Sequence, residues 1–243
     1  MYKWTPDSIR FRIDAAEYTR FDEEIAAQIL PCLKKDAYVC DAGCGLGYLS
    51  LALARNCARL AAIDINAGAL DVLRKNIDCM GIQNIDVTEC DLFSMKPEPK
   101  YDAMVFCFFG RVSEALFAAK AQCRDKVFLI KKNWENHRFT LKETPLKGYT
   151  FEQSLKELDA LQIPYKADTF SVEMGQPFRT LADAALFFET YRQEADSTSI
   201  APEQIEDRLF TGGSGTFPYY LPLKKMLGLI EIDVRDLPDT PLS

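Results

Sequence analysis

The sequence predicts a doubly wound α/β fold, a parallel sheet with helices on both faces. Three observations lead there. Short apolar runs alternate with amphipathic helical stretches from residue 37 to residue 132. The first run ends in a loop with glycine at every second position, Asp41-Ala42-Gly43-Cys44-Gly45-Leu46-Gly47, which runs straight into a helix. Asp41, Asp64 and Asp91 fall at the ends of successive strands, and right-handed crossovers bring those ends to one edge of the sheet, where ligands bind.

In order, the chain opens with a helical arm. Residues 15–18 lead into a helix over residues 21–33, where Phe21, Ile25, Ile29 and Leu33 recur every four residues and Pro31 weakens the end. A strand over 37–42 is followed by a helix over 49–56, and a strand over 59–64 by a helix over 67–80. Leu70, Leu73, Arg74 and Ile77 stand at helical spacing in that helix, with Gly81 just past its end. Strands follow at 85–89 and 103–108, then a helix at 112–123 and a fifth strand at 127–130, ending in Lys131-Lys132. Residues 133–148 are polar and aromatic and read as a loop. Beyond them come a helix at 151–162, a strand at 165–174, helices at 181–192 and 202–209, a glycine-rich stretch at 211–216 and a last strand at 229–234. The expected organisation is one domain over 1–243: an arm at 1–35, a core at 36–132, and a substrate-side half at 133–243 with an insert at about 179–222.

Composition narrows the function. A net charge of −7 disfavours a broad nucleic-acid surface, which needs clustered Lys and Arg, though it leaves room for a local basic patch. The eight cysteines include no C-x-x-C pair, the N-terminus has no apolar signal region, and no apolar run is long enough to span a membrane. The expectation is a reduced, cytoplasmic protein whose cysteines are mostly small buried residues, with no metal site.

The glycine loop and the three strand-end acids closely resemble those of the class I S-adenosylmethionine-dependent methyltransferases, over roughly residues 37 to 132. The resemblance implies a Rossmann-like sheet of seven strands with the last antiparallel, an N-terminal helical lid and a small helical insert before the last strand. It also implies S-adenosylmethionine as cofactor. The loop of Asp41, Gly43, Cys44, Gly45 and Gly47 would wrap the methionine part. Asp64 would bind both ribose hydroxyls, apt for a group that accepts two hydrogen bonds. Asp91 and the Leu92 N–H would meet the adenine edge, Ile65 and Leu92 would wall its faces, and Tyr18 in the lid would cover the cofactor. Phe106, near the end of the fourth strand, reads both as core and as a cofactor contact. Two related folds compete. A dinucleotide-binding domain would have glycine where Tyr48 stands and would bring pyrophosphate against Asp41. An aminopropyltransferase would carry an acidic pair after the fourth strand.

That fourth-strand end is the best substrate clue. Methyltransferases acting on amino groups of bases or amides often carry an Asn/Asp-Pro-Pro-Tyr-like run there, whose acceptors hold the nitrogen. This chain has Phe106-Cys107-Phe108-Phe109-Gly110-Arg111, so an aromatic wall replaces that run. His137, the only histidine, follows the fifth strand and is the candidate base for a hydroxyl or thiol nucleophile, or else a surface histidine; Trp134 and Glu135 share that ambiguity. Arg111 reads as an anchor for an acidic group or as an exposed helix-start residue. Tyr219, Tyr220 and the glycines at 212–215 read as a pocket wall or as peripheral decoration. The leading expectation is a small-molecule methyltransferase, possible as a homodimer. The alternatives are a protein or RNA methyltransferase and a non-catalytic cofactor-binding subunit.

Overall fold

The computed structural model describes residues 4–98, 100–136, 149–192, 201–213 and 215–238. Its elements in chain order are α1 (Pro6–Tyr18), α2 (Phe21–Ile29), β1 (Tyr38–Ala42), α3 (Tyr48–Ala54), β2 (Arg59–Asp64), α4 (Ala67–Met80), β3 (Ile85–Glu89), β4 (Tyr101–Cys107), α5 (Val112–Gln122), β5 (Cys123–Lys132), α6 (Phe151–Ala160), β6 (Lys166–Glu173), β7 (Gln176–Phe178), α7 (Leu181–Thr190), α8 (Pro202–Glu206), β8 (Phe210–Thr211), β9 (Tyr219–Leu221) and β10 (Lys224–Asp233). They form two compact units. One comprises the described residues of 22–133, 149–170 and 226–243, the other those of 1–21, 134–148 and 171–225.

The larger unit is built on a seven-stranded sheet in the order β3-β2-β1-β4-β5-β10-β6. Strand β1 is parallel to both β2 and β4, β5 is parallel to β4, and β10 runs antiparallel to β5. Strands β1, β2 and β3 step one way and β4 returns to the other side of β1. The order therefore reverses between β1 and β4, and the loops leaving these two strands flank the crevice where such sheets bind ligands. Apolar runs buried on both faces specify the central strands: Val39, Cys40, Ala42, Met104, Val105, Phe106 and Leu129 are fully buried. Asn66 caps α4 by accepting from the Ala69 N–H at 2.9 Å, and Gly81 ends that helix at φ +65°.

In the smaller unit, Thr5 and Ser8 form a reciprocal capping box behind Pro6 and start α1. Phe11 on that helix packs edge-on against Phe178 and Phe187, with centroids at 6.3 and 5.1 Å. Its neighbour Asp14 is buried and accepts from Arg179 at 2.6 Å. A three-stranded sheet in the order β7-β9-β8 completes the unit.

Several expectations need correction. The arm holds a 13-residue helix, α1, that periodicity left as a lead-in, because its sequence is mostly polar. Helix α2 stops at Ile29, and Pro31 sits in a following 3-10 turn. Strand β5 starts at Cys123 rather than 127, and β10 at Lys224 rather than 229. The insert is not purely helical: Tyr219 and Tyr220 lie in β9, paired with β7 and β8. Of the eight free cysteines only Cys40, Cys57 and Cys123 are buried, and Cys79 is exposed.

Candidate functional site

The loop from β1 to α3 is held from two sides. The Cys44 N–H donates to the Ile63 carbonyl at 3.0 Å, and the Gly45 N–H donates to Asp64 Oδ2 at 2.8 Å. Asp64 Oδ1 accepts from the Asn66 N–H at 2.9 Å. One carboxylate therefore ties the glycine loop to the end of β2, and each oxygen keeps a lone pair for a further donor. Gly43 and Gly47 adopt left-handed backbone at φ +68° and +76°. Space forbids a side chain at either. A Cβ on Gly43 would lie 2.6 Å from Phe109 Cδ2, and one on Gly47 2.6 Å from Leu73 Cδ2. Beside the loop Ile65 is 45% exposed, an apolar surface next to the Asp64 carboxylate.

Asp41 is the buried member of the acidic set. It is 1% exposed, and its Oδ2 accepts from the Ser50 hydroxyl at 2.5 Å. Burial pushes its carboxyl up to about 7; the Ser50 bond opposes this, and Asp22 and Asp64 add to it. The full negative charge expected there from sequence is thus withheld near neutral pH. An unfolded chain releases this proton near 3.8, whereas the folded chain keeps it to about 7. The folded state binds more protons across that window, so stability falls as pH rises through it. Asp41→Asn removes the titration. Its melting temperature is expected to gain on the wild type progressively from about pH 4 to about pH 7 and no further above that, and a gap constant with pH would rule Asp41 out as the titrating group.

Asp91 is exposed and caps a 3-10 turn, accepting from the Phe93 N–H at 3.0 Å and from the Ser94 hydroxyl at 2.9 Å. One expected apolar contact, Leu92, needs correction, and the core reading of Phe106 holds. Leu92 is 3% exposed and Phe106 fully buried, so both side chains belong to the core rather than to an open wall. Phe106 acts one layer down, stacking on Phe109 at 6.3 Å, while Phe93 stacks on Phe109 from 5.5 Å. Tyr18 belongs to the smaller unit, where its ring meets Tyr220 at 4.8 Å and Phe217 at 5.8 Å. His137, the proposed base, lies outside the described residues. Burial, with Asp41 and Asp64 nearby, pushes the Cys44 thiol well up, which keeps it protonated.

The loop after β4, singled out in sequence for its aromatic wall, is held by a residue that sequence reasoning missed, Lys131 on β5. Phe108 has φ +55° and is 38% exposed, and Gly110 has φ +64°. Lys131, at the end of β5, is 3% exposed. Its Nζ donates to the Gly110 carbonyl at 2.7 Å and to the Phe109 carbonyl at 3.3 Å. Arg111 stands at the start of α5, its N–H donating to Glu114 at 2.7 Å. In sequence, Lys131-Lys132 marked only where the strand ended.

A sequence model described as a methyltransferase domain matches residues 39–126, from the start of β1 into β5, the part of the sheet that carries this site. Over those residues the chain is similar to a methyltransferase domain. It is 31% identical over 103 residues to a protein of Methanocaldococcus jannaschii named a probable cobalt-precorrin-6B C(15)-methyltransferase (decarboxylating), over 42% of this chain and 52% of that one. It is 39% identical over 70 residues to METTL5 of Danio rerio, named an rRNA N(6)-adenosine-methyltransferase, over 28% of this chain and 34% of that one. The chain thus spans about a third to a half of the curated relatives it matches. The fold is shared with YcgJ of Bacillus subtilis at 12% identity and a TM-score of 0.55, covering 86% of this chain and 97% of that one. It is shared also with BH2331 of Bacillus halodurans C-125 at 14% identity and a TM-score of 0.57, covering 88% and 98%.

The residues present fit S-adenosylmethionine, the cofactor that the resemblance implies. The loop approaches as bare backbone at Gly43 and Gly47, an acidic acceptor stands beside it in Asp64, and Ile65 offers an open apolar surface. Among the described residues, no group of three or more His, Cys, Asp or Glu converges as a metal site would require, and no helix is long and apolar enough to cross a membrane.

Proposed function

We propose that this chain transfers a methyl group from S-adenosylmethionine to a small-molecule nucleophile. The observation that carries the reading is the β1–α3 loop, where left-handed glycines that admit no side chain are tied through Gly45 to the Asp64 carboxylate. When bound, S-adenosylmethionine supplies an electrophilic methyl group on a sulfonium. The chain's own residues hold and orient. Gly43, Cys44 and Gly45 present backbone groups to the methionine part, Asp64 offers its two oxygens to the ribose, and Ile65 covers an adenine face. Asp91, with Phe93 and Ser94 on its oxygens, stands at the next strand end. Phe108, at the mouth of the β4 loop, helps exclude water from the reacting atoms. Placing a nucleophile in line is itself worth several kcal/mol, of order 7–11 kcal/mol at best, so no protein base is required of an amine or thiolate. A hydroxyl nucleophile needs one, and His137 is the residue proposed.

A second reading, an RNA substrate, draws on the identity to the rRNA-modifying relative. Against it stand the net charge of −7 and the β4 loop, whose Phe109 and Gly110 carbonyls already carry the Lys131 ammonium where a base amine would seek acceptors. Titration calorimetry with S-adenosylmethionine and with its demethylated product tests the cofactor. Both are expected to bind; no heat with either would end the methyltransferase reading. A labelled methyl donor offered to a metabolite extract and to total RNA then separates the substrates. Label in RNA alone would refute the small-molecule choice.

A further inference from the structure

We propose that Lys131 is the positioning residue of the substrate loop, holding Phe108–Gly110 in the turn that backs the glycine loop and faces the nucleophile. This rests on the methyl-transfer reading above. A buried ammonium must find acceptors, and Lys131 finds two carbonyls in succession, those of Phe109 and Gly110. One residue earlier, the Ile130 carbonyl accepts from the Phe108 N–H at 3.0 Å. The end of β5 thus grips the loop on both sides of the Phe108–Phe109 peptide. The loop needs this grip: Phe108 carries φ +55°, a conformation that a side chain of its size resists. The turn in turn lays the Phe109 ring against Gly43, where a Cβ could not fit. A single lysine therefore couples the substrate-facing loop to the cofactor-facing one.

Its surroundings are built for that task. Tyr149 lies 5.5 Å from Nζ with its ring toward the charge, and Arg111 lies 5.9 Å from the same ring. The Tyr149 hydroxyl donates to Glu157 Oε2, and Glu157 Oε1 accepts from the Ser113 N–H at 3.0 Å at the start of α5. The titratable groups facing Lys131 are Cys107 on β4, Glu114 on α5 and Glu157 on α6, with Tyr149 and Arg111 beside them. On β10 its partner is Gly228, which brings no side chain. Burial pulls the ammonium down to about 8, and the three acidic groups only partly offset this. The grip is strongest below that pH, because a charged donor bonds carbonyls more tightly than a neutral amine.

Amide hydrogen exchange over residues 106–112 of the full chain, with calorimetry of S-adenosylmethionine alongside, tests this. In the wild type, protection of that peptide is expected to fall as pH rises through about 8, while peptides of β1 and β2 show no such step. Lys131→Met is expected to lose about tenfold or more of the protection at pH 7 and to lose the step, with the dissociation constant for S-adenosylmethionine changed less than about fivefold. Adding Phe108→Gly to Lys131→Met is expected to recover part of the protection, since glycine takes the left-handed turn without strain. Absence of the step in the wild type overturns the proposal with no variant needed. So does a Lys131→Met protein with wild-type loop protection, or one whose loss spreads evenly over the sheet and is untouched by Phe108→Gly. Failure of the wild type to bind S-adenosylmethionine would strike the methyl-transfer reading and leave the loop measurement standing.

Discussion

Asp64→Ala is expected to weaken S-adenosylmethionine binding by about a hundredfold, roughly 3 kcal/mol, the largest effect on affinity of any single side-chain truncation at this site. Two losses combine. The carboxylate would offer both oxygens to the ribose, and hydrogen bonds to a charged acceptor are worth about 1.5–3 kcal/mol each. The same carboxylate holds the Gly45 N–H at 2.8 Å, so its removal frees the glycine loop proposed to receive the methionine part. Asp64→Asn keeps one oxygen of the pair and should fall between the two. Calorimetry at fixed salt and pH reads all three proteins. An alanine variant that binds like the wild type would mean that neither the ribose role nor the loop tie contributes to affinity.

How much of this site was legible in the sequence depends on the range of the contact involved. The acids at the strand ends were visible because strand period and turn chemistry are local: Asp41, Asp64 and Asp91 each follow a short apolar run. Their environments were not. Nothing adjacent in sequence says that Asp41 is sealed against Ser50 nine residues on, or that Asp91 spends its oxygens capping its own turn. The Lys131 grip spans 21 and 22 residues, and the Tyr149 ring that covers it arrives from beyond the 133–148 segment. A Lys-Lys pair at a strand end looks like a solvated terminus until the fold buries one of the two. The small sheet escaped for another reason. Strands β7, β8 and β9 have three, two and three residues, too few to show a period. Helix α1 has no apolar stripe to announce it, and its start became visible only in the Thr5–Ser8 capping box behind Pro6.

Two of the site's contacts share a geometry. Each connects a strand end to a loop that leaves the neighbouring strand: Asp64 on β2 to the loop after β1, and Lys131 on β5 to the loop after β4. The loops after β1 and β4 then meet at Gly43 and Phe109. At the point where the strand order reverses, two loops face one crevice, and each is steadied by the strand on its outer side. Preorganisation of this sort is what a displacement reaction needs, because its rate depends on alignment more than on any acid or base.

That meeting point is where a single methyl group should do most damage. Gly43→Ala is expected to destabilise the protein by about 2–6 kcal/mol, a left-handed alanine and an overpacked contact each adding about 1–3 kcal/mol. At this size that lowers the melting temperature by roughly 10 °C. The collision cannot be relieved cheaply. Phe109 stacks with both Phe93 and Phe106, and its carbonyl is held by Lys131. If the ring does yield, the β4 loop shifts with it, so affinity for S-adenosylmethionine should fall in the same variant. Gly81→Ala is the control: its φ of +65° is equally left-handed, but a Cβ there meets nothing within 4 Å. It should cost about 1 kcal/mol through backbone strain alone and leave binding untouched. Thermal melts and calorimetry on the two variants separate strain from collision, and equal losses in both would show that the Gly43–Phe109 contact contributes nothing.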